Sequence, residues 1–170
     1  LDQDLMNYLL NPNIETDTPV LRRGLVIGDV QSGKTSTYIG LICKAADAGF
    51  KVFILLTGTI ESLRKQTQER VEEGFIGIDM SDPNTGGKRV GVGLDNKDIF
   101  ATALTSRNND FTGNSDKIAV ALKNFNAVVF VIKKQKDVLN KLTKWLINLN
   151  ADTLTKKIDL PMLIDRKSVV

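Results

Sequence analysis

The run Gly28-Asp29-Val30-Gln31-Ser32-Gly33-Lys34-Thr35 constrains the fold more than any other part of the chain. It fits G-x-x-x-x-G-K-[ST], with the compact apolar run Leu25-Val26-Ile27 before it and a helix-forming stretch from Lys34 to Ala48, closed by Gly49, after it. Glycine at both ends lets the backbone curl until successive N–H groups point inward, and the helix that follows adds its positive end. A loop of this kind holds phosphate. Lys34 is placed to neutralise β and γ phosphates and to act in catalysis, and Thr35 to present its hydroxyl to Mg2+, with Ser36 completing the first helical turn. An ordinary glycine-rich turn has little reason to set Lys beside Thr at a helix start. The loop predicts binding of ATP or a close relative. Asp29 and Gln31 either hydrogen-bond the turn's own backbone or reach nucleotide and attacking water.

A strand before that loop and a helix after it begin a longer alternation. Lys51 to Leu56 reads as a strand, Ile60 to Glu73 as a helix stopped at Gly74, and Ala127 to Ile132 as a strand. Asp137 to Asn148 reads as a helix with Val138, Leu142, Trp145 and Leu149 inward, and Pro161 to Ile164 as a last strand. Between them, Phe75 to Ser115 is rich in Gly, Asn and Asp, and only pieces such as Arg89 to Val92 and Ile99 to Leu104 look extended. Strands alternating with helices predict βαβ units, hence an α/β fold with a mainly parallel sheet covered on both faces, as in P-loop NTPases. At 170 residues and 42% hydrophobic content one domain is the expectation, with residues 1–20 a lead-in and 21–170 a single lobe. The chain begins at Leu1 rather than a methionine and reads as a fragment.

Composition narrows the chemistry. There is no histidine and one cysteine, Cys43, so a disulfide framework and a zinc site are both excluded and any metal needs oxygen ligands. The apolar runs fall far short of the roughly 18 residues of a membrane-spanning helix, which predicts no membrane and a cytoplasmic location. The net charge of +3 divides unevenly. Residues 117–170 carry 11 Lys+Arg against 4 Asp+Glu, and residues 1–116 carry 12 against 16. The basic part fits either nucleic-acid phosphates or a solvated lysine-rich face.

Two further segments bear on the function. Thr57-Gly58-Thr59 opens a helix through Leu63, Arg64, Gln66 and Arg70, and Lys133-Lys134-Gln135-Lys136 sits where a buried strand ends, the edge at which open parallel sheets bind ligands. Each has an ordinary reading too, as a surface helix with charge pairs such as Lys65 with Glu69, or as lysines at a wet strand end. In order with the phosphate loop and Pro161-Met162-Leu163-Ile164-Asp165, they resemble the first RecA-like lobe of superfamily-two helicases. In that family the helix after the second strand is seated by a Leu-x-x-Gln core, to which Leu63 and Gln66 correspond. More specifically, residues 20–165 resemble the Z-one domain family of bacterial helicase-like ATPases linked to restriction or defence endonuclease systems. The likeness lies in Gly24 to Lys51, Leu63 to Gly77, Leu104 to Phe111 and Val131 to Leu146. The resemblance implies Asp165 as the magnesium-binding aspartate and a catalytic residue. It also implies Thr59, Arg64, Lys133 and Lys134 as contacts to DNA.

The chain departs from that pattern after Asp165, where Arg166-Lys167 stands in place of an acid that would polarise water, and no second lobe follows to supply an arginine to the transition state. The expectation is an ATP-binding lobe that needs its partner lobe to hydrolyse. A small-molecule or nucleotide kinase would use the same loop but needs an arginine-rich lid, which is not seen. A non-hydrolysing module using nucleotide as a structural ligand is the other alternative. Arg107 and Asp110 read equally as a family-specific site or a polar turn.

Overall fold

The structure, a computed structural model, describes residues 7–9, 11–14, 20–25, 34–81, 87–96, 98, 101–113 and 126–166, without the side chains of 34, 35, 149 and 150. The strand expected at Leu25 to Ile27, from Val26 on, and the loop from Gly28 to Gly33 lie outside the described residues. Helix α1 spans Lys34–Asp47 and leads into strand β1, Val52–Thr57; helix α2, Glu61–Val71, widens into a π-type turn over Glu72–Ile76. A short ribbon of β2, Ile78–Asp79, and β3, Lys88–Arg89, is followed by the single turn α3, Val92–Asp95. Then come β4, Ala101–Ala103, β5, Ala127–Lys133, helix α4, Lys136–Asn150, and β6, Met162–Arg166.

The main sheet has the order β4-β5-β1-β6 and is parallel throughout, with Val52 paired to Val128 and Met162 at its start and Thr57 to Lys133 at its end. β1 and β5 are buried on both sides, which is why both read as unbroken apolar runs rather than alternating ones. On one face, α1 and α2 cover Phe53, Leu55, Val129 and Val131 with Ile42, Ala45, Ala46 and Val71. On the other, α4 covers Val52, Ile54, Val128, Phe130 and Ile132 with Val138, Leu142, Trp145 and Leu146. The expected α/β architecture with helices on both faces is therefore present. Among the described residues no helix is long and apolar enough to cross a membrane.

Two boundaries differ from the sequence reading. The second helix does not stop at Gly74; it runs on to Gly77, whose φ of 79° supplies the left-handed stop. Gly74 serves packing instead, since a Cβ there would lie 2.8 Å from Ile39 Cγ2 of α1. The extended piece expected at Arg89 to Val92 stops at Arg89: Gly91, at φ 49°, turns the chain into α3, which packs closely over the end of the second helix, where a side chain on Gly93 would run into the carbonyl of Gly77.

Candidate functional site at the carboxyl edge of the sheet

α1 has 14 residues, about 21 Å at 1.5 Å per residue, and it returns through residues 48–51 to the amino end of β1. That brings its first turn, with Lys34, Thr35 and the exposed Ser36, level with the carboxyl ends of the strands. Asp165 lies on β6 opposite Leu55 of β1, on the same face as Leu163, the face that α1 covers. Tyr38, one turn into α1, lies within the electrostatic reach of Asp165. Burial pushes its hydroxyl up to about 12, the Arg70 guanidinium pulls the other way, and the Asp165 carboxylate adds to the rise. The start of α1 and Asp165 thus share one corner of the sheet. Among the described residues no three His, Cys, Asp or Glu side chains could hold a metal ion by themselves. A magnesium ion on a nucleotide needs less: it takes one or two protein oxygens and completes its shell with phosphate and water, a donor set that Asp165 and a hydroxyl fit.

The nucleic-acid residues expected along the same edge divide. Thr59 and Lys134 are exposed. Arg64 is not a surface group. It is 0% exposed, and its donors reach Glu61 Oε1 (2.9 Å) and the carbonyls of Ser106 (2.9 Å) and Arg107 (2.8 Å). A guanidinium held this way has no reach toward an outside phosphate, so the expected contact is corrected to a structural role. Lys133 is also engaged, with Nζ 2.9 Å from Glu61 Oε2 and 3.9 Å from Asp110 Oδ2. The Leu63 and Gln66 core pair fails in its second member: Gln66 is exposed, and the glutamine that seats the helix is Gln68.

Gln68 opens onto the part of the site that the sequence reading missed. Its amide donates to Glu72 Oε1 (2.9 Å) and to the carbonyl of Thr105 (3.1 Å), and its oxygen accepts from the Thr105 hydroxyl (2.8 Å). The Thr105 hydroxyl in turn accepts from the N–H of Val131 inside the sheet (2.9 Å). Arg107 closes the cluster, donating to Glu72 Oε2 (2.7 Å) and Glu69 Oε1 (2.9 Å), with Asp79 at 3.5 Å. Burial pushes the Glu72 carboxyl above its ordinary value against the pull of Arg107 and Gln68. Hydrogen bonds, that from Arg64 foremost, hold Glu61 at the rim below its own. Asp110 serves the backbone, accepting from the N–H groups of Phe111 (2.7 Å) and of Lys133 at the end of β5 (3.3 Å). Loop 104–111 is therefore laced along the whole of α2, and the visible signal was the four-residue step Arg64, Gln68, Glu72 on one helix face. Comparison of the chain with family models, with curated proteins and with solved structures found no match.

Proposed function

We propose that this chain is the ATP-binding, RecA-like lobe of a helicase-like ATPase that acts on DNA within a restriction or defence endonuclease system. The observation that carries the reading is one of position: the helix that the phosphate-loop sequence opens begins at the carboxyl edge of a parallel sheet, the edge where such sheets take ligands, and Asp165 stands at the same corner. In this reading Gly28 to Ser36 wrap the phosphates, Lys34 neutralises them, and Thr35 and Asp165 hold Mg2+. The exposed Arg166 follows Asp165 where a catalytic acid would stand, which favours a lobe that binds nucleotide and hydrolyses it only with a partner lobe.

Magnesium-dependent binding of a fluorescent ATP analogue tests this directly. Lys34→Ala removes charge-assisted hydrogen bonds of about 1.5–3 kcal/mol, so affinity is expected to fall by roughly tenfold to a hundredfold. Equal binding by both proteins would remove nucleotide from the loop and end the reading. Single-turnover phosphate release then separates a hydrolysing lobe from a module that only binds.

A further inference from the structure

We propose that the outward face of α4 is a docking surface for the phosphate backbone of duplex DNA, centred on Lys136, Asn140 and Lys144. The inference rests on the reading above only in taking DNA as the partner; the surface itself requires no nucleotide. Lys136, Asn140, Lys144 and Asn148 follow one another at four-residue steps, so they line one side of the helix, and all four are exposed. Lys136 and Lys144 stand about 12 Å apart along the axis at 1.5 Å per residue, a span of roughly three to four nucleotides of one strand at 3.4 Å each. Exposed Lys134 and Lys141 flank the row.

Elsewhere several cations are paired with carboxylates, as at Arg64, Arg107 and Lys133. On α4 they are not. Among the described residues none of Lys134, Lys136, Lys141 and Lys144 makes an ion pair, and the sole acid from 133 to 150 is Asp137 against five lysines. Lys136 also occupies the first turn, where the helix dipole disfavours a cation, and Gln135 provides no side-chain cap. A local choice that costs helix stability is expected where a surface has another use.

The chemistry of the face selects the partner. A membrane surface needs an apolar side to insert, and that side of α4, with Val138, Leu142, Trp145 and Leu146, is buried against the sheet. Single strands are held by stacking on exposed aromatics, and the helix's one aromatic, Trp145, is 6% exposed. Ammonium and amide groups in a row are donors to phosphate oxygens and read no base. Binding is therefore to the duplex backbone, indifferent to sequence and steeply salt-dependent.

The test is fluorescence anisotropy of a short labelled duplex across a salt series, without nucleotide, on the whole chain, on Lys136→Gln/Lys144→Gln, and on Lys65→Gln/Lys88→Gln. The last pair removes two exposed lysines remote from α4. The α4 variant is expected to lower the slope of log affinity against log salt by about two and to weaken binding by tens of fold near 0.1 M salt, roughly as loss of two phosphate contacts requires. The control is expected to keep the wild-type slope, and thermal melting to show all three folded. An equal loss in both variants, tighter binding to single strands, or no duplex binding by the wild type at low salt overturns the proposal. ATP-analogue binding on the same samples keeps the two readings apart: if it persists while duplex binding is absent, the surface falls and the nucleotide site stands.

Discussion

α2 and α4 each follow a buried strand of the same parallel sheet and pack on its opposite faces, yet they are held by different physics. α4 presents Val138, Leu142, Trp145 and Leu146, and Trp145 meets Phe111 and Phe130 edge-on at 5.7 and 5.6 Å, within reach of the gain that aromatic pairs add to burial. α2 and the π-type turn that continues it present Arg64, Thr67, Gln68, Val71 and Glu72, four of them polar. Apart from these ring pairs, apolar contact carries no direction, so α4 is fixed by shape and ring packing. The α2 face is directional, because each buried donor or acceptor must meet its partner or cost about 1–3 kcal/mol. That requirement fixes loop 104–111, and with it the rim of Glu61, Asp110 and Lys133, against the sheet.

The largest effect is expected on the apolar side. Trp145→Ala should lower unfolding stability by about 3–5 kcal/mol, measured by urea titration. On the polar side Arg107→Ala removes the partner of a carboxylate that is 1% exposed, and breaking a buried pair this way costs about 3 kcal/mol. The contrast lies in the rescue. Arg107→Leu combined with Glu72→Leu should recover most of the stability, since a buried ion pair replaced whole by apolar groups is often neutral, yet amide exchange in residues 105–110 should speed up because the directional contacts are gone. Exchange unchanged in the double variant would mean that shape fixes the loop after all, and that the two helices do not differ in kind.

The strands and α4 were legible in the sequence because their signals are local. A run such as Ala127 to Ile132 and the spacing of Val138, Leu142 and Trp145 each report burial without reference to the rest of the chain. α2 was legible as a helix and misread as a surface. Its inward positions carry charge, and hydropathy assigns Arg64 and Glu72 to water; only their partners, Ser106 and Arg107 some 35 to 43 residues away, make burial tolerable. Gly77 was likewise passed over for Gly74, because a π-type turn adds residues that a helical period does not count. Of the candidate site, the sequence supplies an expectation at Lys34, Thr35 and Asp165, whereas the pairing that removes Arg64 from the surface is invisible to it.

The smallest expected effect separates the interior of α2 from its rim. Glu72 has its pKa raised by burial above the ordinary 4.5, so the folded protein holds that proton more tightly than the unfolded chain. Its stabilising contribution is complete below about 4.5 and is lost as pH rises through the raised folded value. Glu61 has its pKa lowered, first by the hydrogen bond from Arg64 and also by Lys133, so its contribution is present above the ordinary 4.5 and is lost as pH falls through the lowered value. Urea titrations of wild type, Glu72→Gln and Glu61→Gln from acid to neutral pH should therefore give differences of opposite slope. Wild type should lose ground to Glu72→Gln as pH rises and gain ground on Glu61→Gln. The groups facing Glu72 are Gln68, Arg107 and Asp79, and Asp79 is held below its ordinary value against its own burial by Ser81 and Arg107. It therefore stays charged across the upper part of the range and keeps pressing Glu72 toward its proton. A difference for Glu72→Gln that is flat with pH would mean that Arg107 fully offsets burial, and the α2 face would then be a balanced ion pair with no residual cost of charge.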